Sequence, residues 1–367
     1  MKSACVVLQS NNVLSDNRFF SITDTFGVHG FTFMETRILN EREEKTILSA
    51  LTALKTEYEF ILLLANKSSI PLAKQYLTKI FPEGIYQGGT NNCGIYDSQK
   101  SVWMLLSYAD IPNTKEYVEN TCVPFLKRKS GERVEHFVIR AIGVNEAHLE
   151  RLFSEVKNMS QNQIACHHVR DHGEYIIQIS YDGRAAKFLV DDVIRLFVDG
   201  LGESIYALEN ISLEEQLVRL LKLRGRRLSI AESFTGGGVA RRIVSVSGAS
   251  EVYFEGLNTY NERSKIQRLG VSEFTLNTRG AVSDETAYEM ATGLLNSGNC
   301  DIAIATTGLA GPKSDRSMLP IGLCYIAIGT PERVFVYRYK FDGTREEITQ
   351  TAINYALFLA YKQLKDQ

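Results

Sequence analysis

Three residues in the stretch SGASEVYFEGLNTYNERSK could form a hydrolytic centre: Ser250, Tyr260 and Lys265. A serine hydroxyl attacks an amide or ester when a neutral lysine takes its proton, and burial or a neighbouring cation lowers a lysine pKa far enough for that. The same residue types have an ordinary structural use, in which the serine caps a helix, the tyrosine packs and the lysine stays in water. Type and spacing leave both readings open. All six histidines (His29, His136, His148, His167, His168 and His172) precede residue 173, so the residues beyond it cannot assemble a Ser–His or Cys–His pair among themselves. Acid–base chemistry there falls to Lys, Tyr, Asp or Glu.

The segment SIAESFTGGGVARRIVSVSGAS, residues 229–250, places Gly236, Gly237 and Gly238 between a short apolar run and a helical pattern. Three consecutive glycines supply a tight strand-to-helix turn and close packing. They also let a ligand approach free N–H groups at a helix start, where an anion is favoured. Neither G-x-x-x-x-G-K-[ST] nor G-x-G-x-x-G is present, so no nucleotide-binding fingerprint decides between the two. The run HHVRDH sets His168 and His172 four apart with Asp171 between them, which suits a metal only on a helix. It lies among strand-like segments, and we expect no metal and no cofactor.

Positioning such groups requires a scaffold, and the chain reads as α/β. Residues 1–130 alternate apolar runs (ACVVL, YEFILLLA, SVWMLLSY) with helical patterns such as EREEKTILSALTALK, as βαβ units and a mostly parallel sheet do. KRKSGER, 127–133, reads as a solvated connector rather than a nucleic-acid patch, because it stands alone. Residues 131–207 form a small α+β unit, with helices over NEAHLERLFSEVK and AKFLVDDVIRLFVDGL and a strand over EYIIQISY. Residues 208–367 make a second α/β domain. Capping boxes are expected at Ser212/Glu215 and Thr344/Glu347, Gly225 ends the first of those helices, and RLSIAES, DIAIATTG, GLCYIAIG and RVFVYRYKF are strands.

Composition bounds the function classes. With 367 residues, 44% hydrophobic and 23% charged, the chain can bury more than one core. A formal net charge of −2 and no basic cluster argue against nucleic acid as a partner. Six dispersed cysteines without a C-x-x-C pair read as reduced thiols. The start MKSACVVLQSNN is too short in apolar residues for a secretory segment, and no stretch is apolar enough to span a bilayer; a cytoplasmic location is expected.

The last 160 residues or so resemble the CinA C-terminal domain, a nicotinamide-nucleotide amidase domain, through six motifs in order. AESFTGGGVA resembles A-E-S-C-T-G-G, SGASEVYFEGLNTYNERSK resembles G-S-S-x-x-F-x-x-G-x-x-T-Y-S-N-E-A-K, and RGAVSDETAYEMA resembles H-G-A-V-S-x-x-x-A-x-x-M-A. TTGLAGP, LPIGLCYIA and FDGTREEI resemble T-G-I-A-G-P, K-P-V-G-T-V-Y and F-x-G-D-R-x-x-V, and IRAIGVNEAHLERLF resembles the stretch that links the halves of full-length members. The resemblance implies hydrolysis of nicotinamide mononucleotide to nicotinate mononucleotide and ammonia, and a homodimer. It implies Ser250 as nucleophile with Tyr260 and Lys265 as activating groups. Ser233, Thr235, Gly236 and Gly237 would form the pocket wall and its N–H donors, with Thr307 and Gly308 opposite and Arg345 on the substrate phosphate.

The departures from the family pattern are Phe234 for cysteine, Ala249 for serine, Thr344 for aspartate, and KSDRSML (313–319) for a glycine-rich loop. The N-terminal layout is similar to the molybdopterin-binding-like domain of CinA proteins, which is associated with pyrophosphatase activity. LLANKSSIPLAK stands where that domain has T-G-G-L-G-P-T-x-D-D, and lacks its glycines and paired acids, so the fold is expected to remain and the pyrophosphatase activity to be lost. The competing expectation is a non-catalytic member that binds a nucleotide or a protein partner.

Overall fold

The computed structural model describes residues 1–9, 18–82, 85–88, 93–98, 100–131, 134–312 and 319–365. The substituted loop thus falls, at 313–318, outside the described residues. Among the described residues fifteen strands form three sheets, and the chain divides into two compact units: Met1–His136 with Gln163–Ala165 and Ser180–Lys187, and Phe137–Asn162 with Cys166–Ile179 and Phe188–Gln367.

The first unit holds β1 (Ser3–Gln9), β2 (Glu35–Asn40), β3 (Phe60–Ala65), β4 (Ile85–Gly88), β5 (Gly94–Asp97) and β6 (Val102–Ser107), in the order β2-β1-β3-β6-β5-β4. The first four in that order run parallel and β5 and β4 antiparallel. β1, β3 and β6 are buried on both faces, which is why they read as unbroken apolar runs. Phe60, Leu62 and Leu64 meet Phe26 and Val118 on one face, while Ile61 and Leu63 meet Ile47, Leu51 and Leu54 on the other. Lys127, Arg128 and Lys129 are not a connector but the last turn of the helix Val123–Ser130, closed by Gly131 in the left-handed region. Cations are favoured at a helix C-terminus, so a basic run of this kind reads equally as a helix end.

The four-stranded sheet comprises β7 (Val134–Ile142), β8 (Ile164–Asp171), β9 (Glu174–Asp182) and β10 (Ile205–Ala207), in the order β10-β7-β9-β8, accompanied by the helices Glu146–Met159 and Lys187–Leu201. His168 lies in β8 and His172 in the turn after it, so the helical spacing a metal would need is not formed.

The third sheet, β12 (Tyr253–Asn258), β11 (Leu228–Glu232), β13 (Ile302–Gly308), β14 (Leu323–Gly329) and β15 (Val334–Lys340) in that spatial order, carries the candidate site. β12, β11 and β13 are parallel, and β14 and β15 are antiparallel additions. Both expected capping boxes form: Ser212 with Glu215 at the helix Leu213–Arg224, and Thr344 with Glu347 at the helix Arg345–Lys365. The short helix Gly238–Val244 sits close against Arg345–Lys365. A Cβ at position 238 would come within 2.4 Å of Ile353 Cδ1, so any larger residue there would have to displace the tip of that side chain. Arg242 adds a 2.7 Å bond to Asn354 Oδ1 and an ion pair with Glu214, and Asn354 donates onward to the His172 carbonyl at 3.1 Å. No helix among the described residues is long and apolar enough to cross a membrane.

Candidate active site

The site lies at the carboxyl ends of β11, β12 and β13, the edge at which parallel α/β sheets present side chains to ligands. β11 ends in Glu232, and the chain turns through Ser233–Gly237 into the helix Gly238–Val244. β12 ends at Asn258, then Thr259 and Tyr260 lead to the helix Glu262–Leu269, which carries Lys265. The parallel register Glu232↔Asn258 brings these two exits side by side.

Lys265 is only 1% exposed. Its Nζ donates to Ser233 Oγ at 2.9 Å and to the Thr259 carbonyl at 2.5 Å, and neither partner is anionic. Burial disfavours the ammonium form and pushes the lysine down to about 8, with Glu262 opposing weakly from the same helix. Ser233 is held from below, its N–H donating to Thr306 O at 3.1 Å, while the hydroxyls of Thr235 and Thr306 share a buried hydrogen bond of 2.7 Å. A serine, a buried amine and two threonines thus meet on three adjacent strand ends.

Ser250 is not among them. It is exposed in a single helical turn, Ala249–Glu251, that precedes β12, at the opposite end of that strand from Thr259. The six residues of β12 put about 17 Å between the two ends. The neighbours of Ser250 belong to a surface ion pair, Lys222–Glu251, at 2.8 Å. Lys265 therefore pairs with Ser233, and the expected Ser250–Lys265 partnership is not formed.

The remaining expected residues divide in the same way. Tyr260 is 63% exposed, and its hydroxyl accepts from Arg345 Nη2 at 3.3 Å rather than meeting Ser233 or Lys265. Arg345 Nη1 donates to the Gly311 carbonyl at 2.5 Å, so this guanidinium bridges the segments that follow β12 and β13. The N–H of Gly236 bonds the Ser233 carbonyl and that of Gly237 the Glu232 carboxylate, so neither glycine N–H is free for a ligand; their φ values of 62° and 95° explain why glycine stands there. Thr307 is buried with its hydroxyl on the Ala281 carbonyl, and Gly308 allows β14 to approach, since a Cβ there would meet Cys324 Cβ at 2.6 Å. Beyond Tyr260 lies an open groove of about 610 Å³, lined in part by Arg263, Ile266, Glu273 and Leu276.

The CinA C-terminal domain model matches residues 210–364. A CinA-like protein of Kosmotoga olearia is 32% identical over 299 residues, 77% of this chain and 72% of that protein. The chain belongs to the CinA family. A competence-damage inducible protein of Caldicellulosiruptor saccharolyticus is 38% identical over 255 residues, 69% of this chain and 61% of the relative's length. The crystal structure of a CinA superfamily protein from Klebsiella pneumoniae is 32% identical and covers 42% of this chain and 97% of its own, with a TM-score of 0.41.

Against the CinA pattern, the phenylalanine at 234 has a structural place. Its ring is buried with Ala310, Cys324, Ile348 and Ala352 in a small apolar cluster. The ring therefore serves as part of the packed core. Sequence reasoning missed three contributors: Thr259, whose carbonyl orients the lysine, Thr306, and Glu232. The available signal for Glu232 was its place at a strand end immediately before a serine-bearing turn.

Proposed function

We propose that this site hydrolyses a carboxamide, with Ser233 as nucleophile and Lys265 as general base, and that its substrate is nicotinamide mononucleotide. The observation that carries the reading is the buried Lys265–Ser233 contact at 2.9 Å, with the amine brought down to about 8. The Thr259 carbonyl holds one hydrogen of the amine, and loss of the proton that the ammonium donates to Ser233 leaves a lone pair on Nζ directed at that hydroxyl. As Ser233 Oγ bonds to the carboxamide carbon, its proton passes to Lys265. The amide N–H groups of Phe234 and Thr235, which bond no acceptor among the described residues, are the donors we assign to the developing oxyanion. The C–N bond then breaks, the proton returns from Lys265 to the departing nitrogen, and ammonia leaves. Water, deprotonated by the same lysine, cleaves the resulting ester and releases the carboxylic acid and free Ser233.

The substrate class rests on family membership and on Arg345, a guanidinium suited to phosphate that keeps further N–H donors beyond those on Gly311 and Tyr260. Ammonia release from nicotinamide mononucleotide by purified protein tests the reading directly. Turnover by the wild type that disappears in Ser233→Ala supports it; no ammonia from the wild type overturns it.

A further inference from the structure

We infer that Glu232 is a positioning residue for this chemistry: its carboxylate fixes the turn that aims Ser233 at Lys265. This rests on the assignment of Ser233 as nucleophile. Glu232 is 2% exposed at the last position of β11. Its Oε2 accepts from the N–H groups of Gly237 at 3.1 Å and Val239 at 3.0 Å, and Oε1 accepts from Ala240 at 2.9 Å. Among the described residues no cation pairs with it, so its charge is met by main-chain N–H donors alone.

A buried carboxylate with three such donors has one favourable placement, because every departure leaves a donor and an ionic acceptor unmatched. The same residue anchors the opposite wall: its main-chain carbonyl accepts from Thr259 N–H at 2.7 Å, and the Thr259 carbonyl is the one that holds Lys265. One residue thus ties the serine turn, through its side chain, and the lysine's orienting carbonyl, through its backbone. It also accounts for the glycines. Gly237, at φ 95°, turns its N–H back toward the strand end, where it meets a carboxylate of the protein itself.

Glu232→Gln is nearly isosteric but presents an NH₂ to donors, so at least one of the three bonds is lost. The expected result is a fall in kcat of about 10²-fold with KM nearly unchanged, the signature of a nucleophile displaced by a fraction of an ångström. A substrate-independent readout accompanies it: labelling of Ser233 by a fluorophosphonate probe, followed by mass spectrometry, slows at least about ten-fold in folded Glu232→Gln, in line with the same displacement. Wild-type kcat and labelling rate in the folded variant would overturn the inference. If the wild type releases no ammonia but labels at Ser233, the substrate assignment has failed, and the labelling ratio still decides the role of Glu232. Should Glu232→Gln not fold, hydrogen exchange on the wild type decides: the Gly237, Val239 and Ala240 amides exchange as slowly as those of β11 if the carboxylate pins them, and rapid exchange refutes the inference.

Discussion

The side-chain nitrogen of Lys265 lies 2.9 Å from the hydroxyl oxygen of Ser233, 32 positions earlier in the chain and on the exit of the neighbouring parallel strand. That pairing assigns different fates to the two serines at the ends of the segment 229–250. Ser233→Ala is expected to lower ammonia release by about 10³-fold or more, as loss of a covalent nucleophile does. Ser250→Ala, at an exposed turn, leaves the rate at the wild-type level. Equal losses in the two variants would sink the assignment.

Activity is expected to depend on the protonation state of Lys265. Only the neutral amine accepts the serine proton, so kcat/KM rises tenfold per pH unit on the acid side and levels off above about 8, where burial has brought the lysine. A pH–rate profile between 6 and 9.5 checks this; a flat profile excludes Lys265 as base.

The same burial makes Lys265 costly to stability. The group titrates near its ordinary 10.5 in the unfolded chain and near 8 when folded, so between those values the unfolded state holds a proton that the native state has released. Stability therefore rises with pH across that window, and the whole penalty is present below it. Lys265→Met is expected to remove on the order of 2 kcal/mol of that penalty at pH 7 while abolishing turnover. Thermal unfolding at pH 7 and pH 10 tests it: the gain over wild type must shrink at the higher pH.

Thr235 and Thr306 share one buried hydrogen bond, at 2.7 Å. Thr306→Val strands the Thr235 hydroxyl and costs about 1–3 kcal/mol. Adding Thr235→Val costs less than the sum of the single changes, with a coupling of about 1 kcal/mol in a double-mutant cycle. Strict additivity in denaturant unfolding would show that the hydroxyls do not depend on each other.

Much of this was legible in the sequence where the signals are local. The capping boxes at Ser212/Glu215 and Thr344/Glu347 and the strands β11, β13 and β14 follow from patterns a few residues long. The lysine was legible too, since a sequence without histidine in this region leaves few other bases. The serine was not. Which of two serines meets Lys265 depends on strand register, and the pairing Leu228↔Tyr253 with Glu232↔Asn258 puts Ser233 and Ser250 at opposite edges of the sheet. Burial of the Phe234 ring was equally hidden, because its cluster gathers residues from 310, 324, 348 and 352. Residue identity states what chemistry is available; only the long-range pairing states which copy of a residue performs it.

The brace between Arg242 and Asn354 joins residues 112 positions apart, and the His172 carbonyl behind Asn354 lies 182 positions from it. Contacts of such separation form late, because chain closure opposes them until nearby structure exists. Catalytic competence should then act as a clock for the completion of folding: in a refolding experiment helicity returns first, and ammonia release returns only when the helix Arg345–Lys365 has docked behind the serine turn.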